Sequence, residues 1–356
     1  MRRRPRLLLS KQALIGNYQR LCQLSGQAAC AASVKANGYG LGIAFVGPTL
    51  WEAGCRTFFV AYLQEAVALR ALLPEAEIYV FHGIDADDVE DCRRLSIRPV
   101  LNTLEELRFV RGTGLLPAIH VDTGMQRLGL PMDAVEAIDE FVAHEPIALL
   151  MSHLASADQP AAESNRTQLA HFTALQSHFQ ARIPAYSLAN TAGILLGEGY
   201  HFDLTRPGIG LYGGSPDPQA PAGFTPVARW LGSVLQVRQL PAGVPVGYGG
   251  TYQTSQEQTI VTLSTGYADG YLRNLGNRAC VAINGRLAPV VGRVSMDLLT
   301  VDVTELVGDG LHIQRGDWLE LMGSAVTVDR LAGDSDTIGY EILTRLGSRL
   351  ERQVVG

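Results

Sequence analysis

A lysine at the end of an apolar run is the first residue in this chain whose type and position suggest chemistry. Residues 28–34 predict a short buried strand, and Lys35 follows them directly, ahead of a turn at residues 36–40. Partial burial lowers the pKa of such an amine, and a neutral amine can form a Schiff base with a carbonyl group. A lone lysine at a strand end usually extends its amine to solvent instead. Whether Lys35 does chemistry therefore depends on what the fold brings to it.

Short apolar runs and amphipathic helical patterns alternate through the first half of the chain. The runs recur about every 20 to 30 residues after Lys35, with helical patterns between them. Together with the lysine strand they make eight strand–helix units over some 220 residues, which favours a (β/α)8 barrel over an open doubly wound sheet. The later runs are residues 57–60, 77–81, 98–101, 117–121, 147–152, 185–188 and 202–210.

A change of composition near residue 216 predicts a second domain. Four prolines and several glycines between residues 213 and 226 indicate a loop or linker. Alternating apolar runs follow it, and Asn284-Gly285 is typical of a hairpin turn. We therefore predict an α/β barrel domain at residues 1–222 and a mostly β domain at residues 223–356.

Composition argues against several classes of function. The net charge of −6 and the lack of a broad basic patch argue against a nucleic-acid partner. The five cysteines are scattered without a CxxC pair, so neither a disulfide framework nor a metal site is expected. Polar residues interrupt the short apolar stretch after the basic N-terminus, and no run of ~20 apolar residues follows. We therefore expect a cytoplasmic protein without a membrane partner.

In a barrel of this kind, the chemistry occurs where the strands end at their carboxyl side. Lys35 ends the first strand, Asn190-Thr191 follows the seventh, and residues 206–210 lie at the eighth. The loops after strands 7 and 8 commonly hold a phosphate through backbone amides. An imine-forming lysine together with a phosphate cradle is the combination that pyridoxal 5'-phosphate requires. Arg206 would then face the pyridine nitrogen of that cofactor.

A series of motifs resembles the alanine racemase family. Residues 35–40, with the sequence Lys-Ala-Asn-Gly-Tyr-Gly, resemble that family's cofactor-lysine signature, with Gly38 in place of the usual alanine. The remaining motifs follow in the family's order and extend the resemblance from about Leu9 to Arg352. Each motif alone is weak, but their joint order is specific. They are residues 121–129, Ser152-His153, Asn190-Thr191, residues 206–209, Gly247-Tyr248-Gly249, residues 266–270, residues 292–297 and Tyr340-Glu341.

The resemblance implies a fold-type III enzyme that uses pyridoxal 5'-phosphate and forms an obligate head-to-tail homodimer with shared active sites. Lys35 would bind the cofactor and act as one base, and Tyr248 of the partner subunit would be the other. Arg127 and the backbone at Met296 would receive the substrate carboxylate, and Tyr267 would narrow the path of the substrate. The other cofactor-binding residues that the resemblance implies are Tyr39, His153, Asn190, Thr191, Arg206, Gly208, Ile209 and Tyr340.

Three residues depart from the family pattern. His120 stands where the family commonly has a lysine, often carbamylated, whose negative charge orients the carboxylate-binding arginine. A neutral imidazole can accept a hydrogen bond from Arg127, whereas a protonated one repels it; another acid or a bound anion are the alternatives. We expect a looser grip on the carboxylate, seen mainly in KM. Ser187 replaces a histidine that usually contacts the pyridine-facing arginine, which predicts a less constrained Arg206, and Ser295 replaces a frequent cysteine.

The predicted function is the interconversion of L-alanine and D-alanine, which in bacteria supplies D-alanine for peptidoglycan. Two other interpretations stay open: a racemase of serine, lysine or several amino acids, and a non-catalytic protein that binds pyridoxal phosphate. Single-domain relatives of the second kind generally lack the β domain and its second tyrosine, so Tyr248 and Tyr267 favour an enzyme. The preferred amino acid depends on the width of the pocket, which the sequence does not provide.

Overall fold

The computed structural model describes residues 4–217 and 222–356. The chain divides into two compact units. One is Ile15–Leu211, which we call the barrel unit. The other, which we call the β unit, combines Tyr212–Gly356 with the residues that precede Ile15. Part of the linker predicted from the sequence, residues 218–221, lies outside the described residues.

Short strands alternate with helices up to residue 205, and strands dominate after it. The strands are β1 Arg6–Ser10, β2 Ala29–Cys30, β3 Ala32–Ser33, β4 Thr57–Val60, β5 Glu77–Val80, β6 Ile97–Leu101, β7 Ala118–His120, β8 Leu149–Met151, β9 Tyr186–Ser187, β10 Leu204–Thr205, β11 Ala228–Leu240, β12 Pro245–Val246, β13 Tyr252–Gln253, β14 Gln258–Leu263, β15 Cys280–Ile283, β16 Arg286–Val291, β17 Leu299–Asp302, β18 Trp318–Met322 and β19 Glu351–Val355. The helices are α1 Lys11–Leu24, α2 Lys35–Tyr39, α3 Ile43–Glu52, α4 Leu63–Leu72, α5 Val89–Arg94, α6 Leu104–Val110, α7 Val135–Val142, α8 Glu163–Phe179, α9 Thr191–Leu195, α10 Thr304–Gly308, α11 Val328–Asp334 and α12 Gly339–Thr344. No helix within the described ranges is both long and apolar enough to cross a membrane.

The barrel unit is built on a ring of parallel strands. Strands β3 to β9 pair in chain order, and β2, which is separated from β3 only by Ala31, pairs with β10. Asp203 N donates to Tyr186 O at 3.0 Å, and Arg206 N donates to Ala189 O at 2.8 Å. These two hydrogen bonds join the last strand to the seventh and close the ring. Because β2 and β3 act as one strand, the ring has eight members, which confirms the predicted (β/α)8 barrel.

Apolar side chains from successive strands fill the barrel, so its interior is a packed core rather than a pore. The ring of Phe59 stacks on those of Tyr79 and Phe81, with centroids 4.7 and 5.0 Å apart. Polar residues that follow the parallel strands lie beyond this core, at one end of the barrel. The buried cluster consists of Ala31, Phe59, Tyr79, Val100, Ala118, Leu149, Met151 and Leu204.

The β unit is organised around one long strand, β11. In its eight-stranded sheet the order is β14-β17-β16-β15-β18-β11-β1-β19, and β11 also pairs with β14. The first half of β11 therefore borders β18 and β1, while residues from Val234 to Leu240 border β14. A register shift between Val234 and Gln236 lets the strand bend from one neighbour to the other. This topology confirms the predicted mostly β architecture of the C-terminal half.

The N-terminal strand belongs to the β unit, whereas the sequence pattern predicted a barrel domain at residues 1–222. β1 pairs antiparallel with β11 and parallel with β19, so it lies between strands from the other end of the chain. Its alternating pattern buries Leu7 and Leu9 and leaves Leu8 half-buried. A local pattern predicts that a strand exists but not which sheet it joins, because pairing partners are set by tertiary contacts.

We predict that truncation of Leu7 destabilises the protein more than truncation of Leu8. Leu7 is fully buried opposite Trp230, and a Leu-to-Ala change in a core costs about 2–5 kcal/mol through lost burial and the cavity left behind. Leu8→Ala is the matched control, since it removes the same atoms from the other face of the same strand. Urea unfolding at one protein concentration measures both variants. Equal losses of unfolding free energy would show that β1 does not pack as described.

Candidate active site

The polar residues predicted for the site in the barrel unit follow the carboxyl ends of its strands. Lys35 follows β3, His120 ends β7, and His153 follows β8. Since the carboxyl ends of parallel strands share one end of a barrel, closure of the ring brings these residues together from distant parts of the sequence. The other predicted residues that lie beyond strand ends are Tyr39, Arg127, Asn190, Thr191, Arg206, Gly208 and Ile209.

The amine of Lys35 lies in partly buried, partly positive surroundings. Its Nζ is 5.5 Å from the centroid of the Phe81 ring, and the side chain is half-buried. Burial and, after it, the charge of Arg127 lower the pKa of Lys35, against the opposing effect of Glu65. A lowered pKa increases the fraction of neutral amine, which is the form that attacks a carbonyl group.

The residues after Lys35 form a left-handed turn. The φ angles of Ala36, Asn37, Gly38 and Tyr39 lie between +52° and +64°. Such a conformation costs free energy in residues with a Cβ, so the surroundings must hold it. Glu65 does so, because its Oε1 accepts a hydrogen bond from Ala36 N at 2.6 Å while its Oε2 accepts one from Ala61 N at 2.8 Å. The turn returns Tyr39 to the protein interior, where its side chain is buried.

Tyr39, Thr191 and the backbone after β10 form a compact cradle of hydroxyl and amide groups. Burial raises the pKa of Tyr39 to about 12, against a hydrogen bond with Ser33, so its hydroxyl stays protonated. A Cβ on residue 208 would overlap the Tyr39 hydroxyl, so glycine is required there. Thr191 Oγ1 accepts from Gly208 N at 2.9 Å. Two hydroxyls and a glycine backbone thus meet in one small space, and hydroxyl and amide groups are donors of the type that bind phosphate.

Arg206 is a buried cation without an acid beside it among the described residues. It is 3% exposed, and its guanidinium donates to Ser187 Oγ, to Ser152 O at 2.6 Å and to Leu188 O at 3.3 Å. Burial lowers the pKa of Arg206 to about 9, so the group remains charged at neutral pH. These three acceptors, Ser187 among them, constrain the Arg206 side chain.

The charge of Arg206 acts on two imidazoles. Burial, followed by that charge, lowers the pKa of His153 well below its usual value. The same causes lower the pKa of His120 to about 4, with Arg127 acting in the same direction and Asp122 opposing them. Both imidazoles are therefore neutral at physiological pH. Guanidinium charges surrounded by neutral side chains favour an anionic ligand at this end of the barrel.

Arg127 is exposed on the loop between Val121 and Leu130. Asp122 Oδ1 orders the first part of this loop by accepting hydrogen bonds from Gly124 N and Met125 N, both at 2.8 Å. The Arg127 guanidinium forms no ion pair or hydrogen bond with any residue in the ranges 4–217 and 222–356. The hydrogen bond to His120 that the sequence suggested is therefore not formed here, and the Arg127 side chain is left available to a ligand.

In the β unit, the predicted residues Tyr248, Tyr267 and Met296 are exposed on turns. Tyr267 N donates to Ser295 O and Ala268 N donates to Met296 O, both at 3.0 Å, so Tyr267 and Met296 are held side by side. Tyr248, at 73% exposure, lies on a separate glycine-rich turn. Tyr340 is half-buried at the start of α12.

The sequence patterns do not single out four residues that contribute to this region. Glu65 holds the left-handed turn, Phe81 lies against the Lys35 amine, and Asn102 forms a hydrogen bond with His120. Burial and, after it, the charge of Lys35 lower the pKa of His82. Phe81, His82 and Asn102 end or directly follow predicted strands, and that position is the signal that would have found them.

Comparison with known proteins agrees with this architecture. The family model described as "Alanine racemase, N-terminal domain" matches residues 9–216, and "Alanine racemase, C-terminal domain" matches residues 227–354. An alanine racemase of Methylobacterium sp. (strain 4-46) is 42% identical over 358 residues, covering 98% of this chain and 97% of its own.

Solved structures give the same result. The alanine racemase from Bartonella henselae with covalently bound pyridoxal phosphate is 37% identical, with a TM-score of 0.90 and 99% of both chains covered. The alanine racemase from Acinetobacter baumannii is 31% identical, with a TM-score of 0.93 over 99% of this chain and 100% of its own. The chain therefore belongs to the alanine racemase family, a family of amino-acid racemases.

Proposed function

We propose that this protein is a pyridoxal 5'-phosphate-dependent racemase that interconverts L-alanine and D-alanine by a two-base mechanism. The observation that carries the proposal is the grouping, at one end of the barrel, of a lysine with a lowered pKa, a hydroxyl and amide cradle, and a buried guanidinium without an acid beside it in the described chain. Family membership supports the reaction, and the Bartonella henselae relative binds the same cofactor.

The residues present fit this cofactor. Gly208 leaves room for the Tyr39 hydroxyl, and with Thr191 they form a cradle suited to a phosphate. By the resemblance, Asn190, Ile209 and Tyr340 would complete the phosphate contacts, and His153 would support the cofactor near Arg206. Lys35 supplies the amine that attaches the cofactor. When bound, pyridoxal phosphate acidifies the Cα–H bond of an amino acid by withdrawing its electrons.

Inversion at Cα needs a proton-transfer group on each side of the substrate. One base returns the proton to the face from which it came, so Lys35 alone would give exchange without inversion. Tyr248 of the partner subunit is our candidate for the second base. In this chain Tyr248 is exposed on a glycine-rich turn. A residue that completes the active site of a neighbouring subunit must be exposed in this way. The proposal therefore includes a homodimer with shared active sites.

Arg127 and the backbone at Met296 would orient the substrate. A guanidinium binds a carboxylate through two parallel hydrogen bonds, and that of Arg127 has no partner in the described residues. Tyr267, fixed beside Met296, would limit the size of the amino acid side chain. We infer alanine as the substrate, cytoplasmic location, and supply of D-alanine for peptidoglycan as the role.

Mixing two inactive variants tests the shared site. Lys35→Ala removes one base and Tyr248→Phe the other, each with an expected loss of ~10²–10⁴-fold in inversion. When equal amounts of the two variants pair at random, about half of the dimers contain one chain of each. If the two bases of a site come from different chains, one of the two sites in each mixed dimer has both bases. About a quarter of the wild-type activity should therefore return. Optical rotation of L-alanine measures it. No recovery after verified subunit exchange would contradict the shared site.

Tyr252→Phe is the matched control for the loss of the Tyr248 hydroxyl. Tyr252 lies on the neighbouring strand β13, and its hydroxyl is bonded within the β unit to Gln258 Oε1 at 3.1 Å. We expect this variant to keep wild-type inversion. In D2O, Tyr248→Phe should still exchange the Cα proton of one enantiomer, since Lys35 remains. Loss of exchange for both enantiomers would contradict the assignment of one base to each face.

We predict that Arg206→Glu loses racemase activity and gains transamination. Arg206 keeps its own protons, so it does not protonate the pyridine nitrogen as an acid would. This limits electron withdrawal and favours return of the proton to Cα over its transfer to the cofactor. Racemisation should fall by ~10²-fold or more, as when an oriented donor is lost from an active site, while pyruvate formation rises. Unchanged rates of both reactions, with cofactor absorbance retained, would show that Arg206 does not face the ring nitrogen.

A further inference from the structure

Asn102 is fixed at the junction between β6 and α6. Its Nδ2 donates to Val100 O at 2.7 Å and to Phe81 O at 3.1 Å, so both amide protons point at carbonyl oxygens. Its backbone N donates to Glu106 Oε2 at 2.6 Å, and the same carboxylate accepts from Thr103 N at 2.9 Å. Asn102 is 3% exposed. These contacts settle its orientation, because a reversed amide would place an oxygen against two carbonyl oxygens.

This orientation decides the tautomer of His120. The Asn102 Oδ1 lies 2.9 Å from His120 Nδ1 and can only accept, so Nδ1 must carry the proton. His120 is 7% exposed, and burial lowers its pKa to about 4, so at neutral pH the imidazole holds one proton. Nε2 is consequently unprotonated, and it makes no hydrogen bond with the described residues. His120 thus presents a vacant acceptor.

The loop that carries Arg127 rests on this imidazole. Leu130 N donates to His120 O and Asp122 N donates to Leu130 O, both at 2.8 Å, which closes the base of the loop. A Cβ on residue 129 would lie 3.1 Å from both Cγ and Nδ1 of His120, so Gly129, with φ at +113°, packs directly on the ring. The position of the ring and the base of the loop are therefore coupled.

The groups that act on His120 explain why its charge state matters. Arg127 and Arg206 both lower the pKa of His120, and Asp122 alone among its charged neighbours raises it. A protonated ring would add a third positive charge and would turn Nε2 into a donor. A neutral ring with a free Nε2 can instead accept from a guanidinium. Arg127 has N–H groups without partners in the described chain.

We propose that Asn102 is a positioning residue for the reaction. By holding His120 as its Nδ1–H tautomer at the base of the Arg127 loop, it keeps Nε2 unprotonated. Nε2 can then accept a hydrogen bond from the Arg127 guanidinium, not formed in this structure, when a carboxylate substrate binds. This inference rests on the proposed function, in which Arg127 binds that carboxylate. His120 Nε2, at the base of the loop, is an acceptor without a donor among the described residues. The Arg127 guanidinium, on the same loop, is a donor without an acceptor there. Asn102 itself touches neither substrate nor cofactor.

The experiment compares Asn102→Ala with Asn165→Ala in the holoenzyme. Asn165 is a matched control: it is 1% exposed, its Nδ2 also donates to two backbone carbonyls at 3.1 and 3.0 Å, and its Oδ1 has no partner among the described residues. Each change deletes two hydrogen bonds from a side-chain amide to backbone carbonyl oxygens. Only Asn102→Ala also deletes a hydrogen bond to an imidazole. We expect Asn102→Ala to raise KM for alanine ~3- to 10-fold, the worth of one hydrogen bond, with kcat changed less than ~2-fold. Asn165→Ala should leave KM unchanged.

Long-range ¹H–¹⁵N spectra of protein labelled in histidine read the tautomer without turnover. Wild type should show His120 protonated at Nδ1 only, and Asn102→Ala should shift it toward the Nε2–H form. The resonance is assigned by its loss in His120→Gln. An Nε2–H or doubly protonated wild-type ring would overturn the proposal. A changed tautomer in Asn102→Ala with KM equal to that of Asn165→Ala would overturn it as well.

A second pair of variants covers the case in which Asn102→Ala does not fold. His120→Gln keeps an acceptor oxygen and a donor toward Asn102, whereas His120→Leu has neither. We expect KM near wild type for His120→Gln and ~3- to 10-fold higher for His120→Leu. Equal KM values would overturn the inference. Racemase activity and cofactor absorbance of the wild type, measured in the same preparations, test the proposed function separately.

Discussion

A charged guanidinium buried without an acid is the constraint on which the site depends. Arg206 is 3% exposed and donates to three neutral oxygens, so the described chain does not cancel its charge. A buried charge is costly unless something compensates it, and neutral acceptors compensate only in part. Burial, and after it the field of Arg206, lowers the pKa values of His153 and His120 and holds both imidazoles in their neutral forms. The uncompensated positive charge at this end of the barrel therefore favours a ligand with a negative charge or an unprotonated nitrogen.

The backbone around this charge is shaped for close approach. The left-handed turn after Lys35 is held by Glu65, and it brings Tyr39 to a hydroxyl position that only glycine at 208 allows. The loop of Arg127 is packed just as closely on His120 through Gly129. Tyr39 and Arg127 are thus positioned by close contacts with other residues of the barrel unit. Rigid support of this kind is what a site needs when its groups must meet a substrate in one geometry.

Much of the barrel and part of its site follow from local sequence. The alternation of apolar runs predicts eight strands, and the residues just beyond them, Lys35, Thr191 and Arg206, lie at strand ends as expected. Asn102 is missed because a polar residue after a strand is common and carries no motif. Two acceptors of Arg206 are missed for a different reason, because they are backbone carbonyl oxygens that no side-chain pattern marks. A serine hydroxyl is a smaller acceptor than imidazole, yet two carbonyl oxygens, from Ser152 and Leu188, lie close enough to share the guanidinium.

By itself the sequence determined what depends on neighbours along the chain: the period of the apolar runs, the turns, and the order of motifs that identifies the family. Only the tertiary structure decided which distant groups meet. It placed β1 between β11 and β19 and set Asn102 against His120, which fixes where a proton resides. The physical reason is that strand pairing, burial and the pKa of a side chain depend on contacts across space, and a local pattern does not encode them.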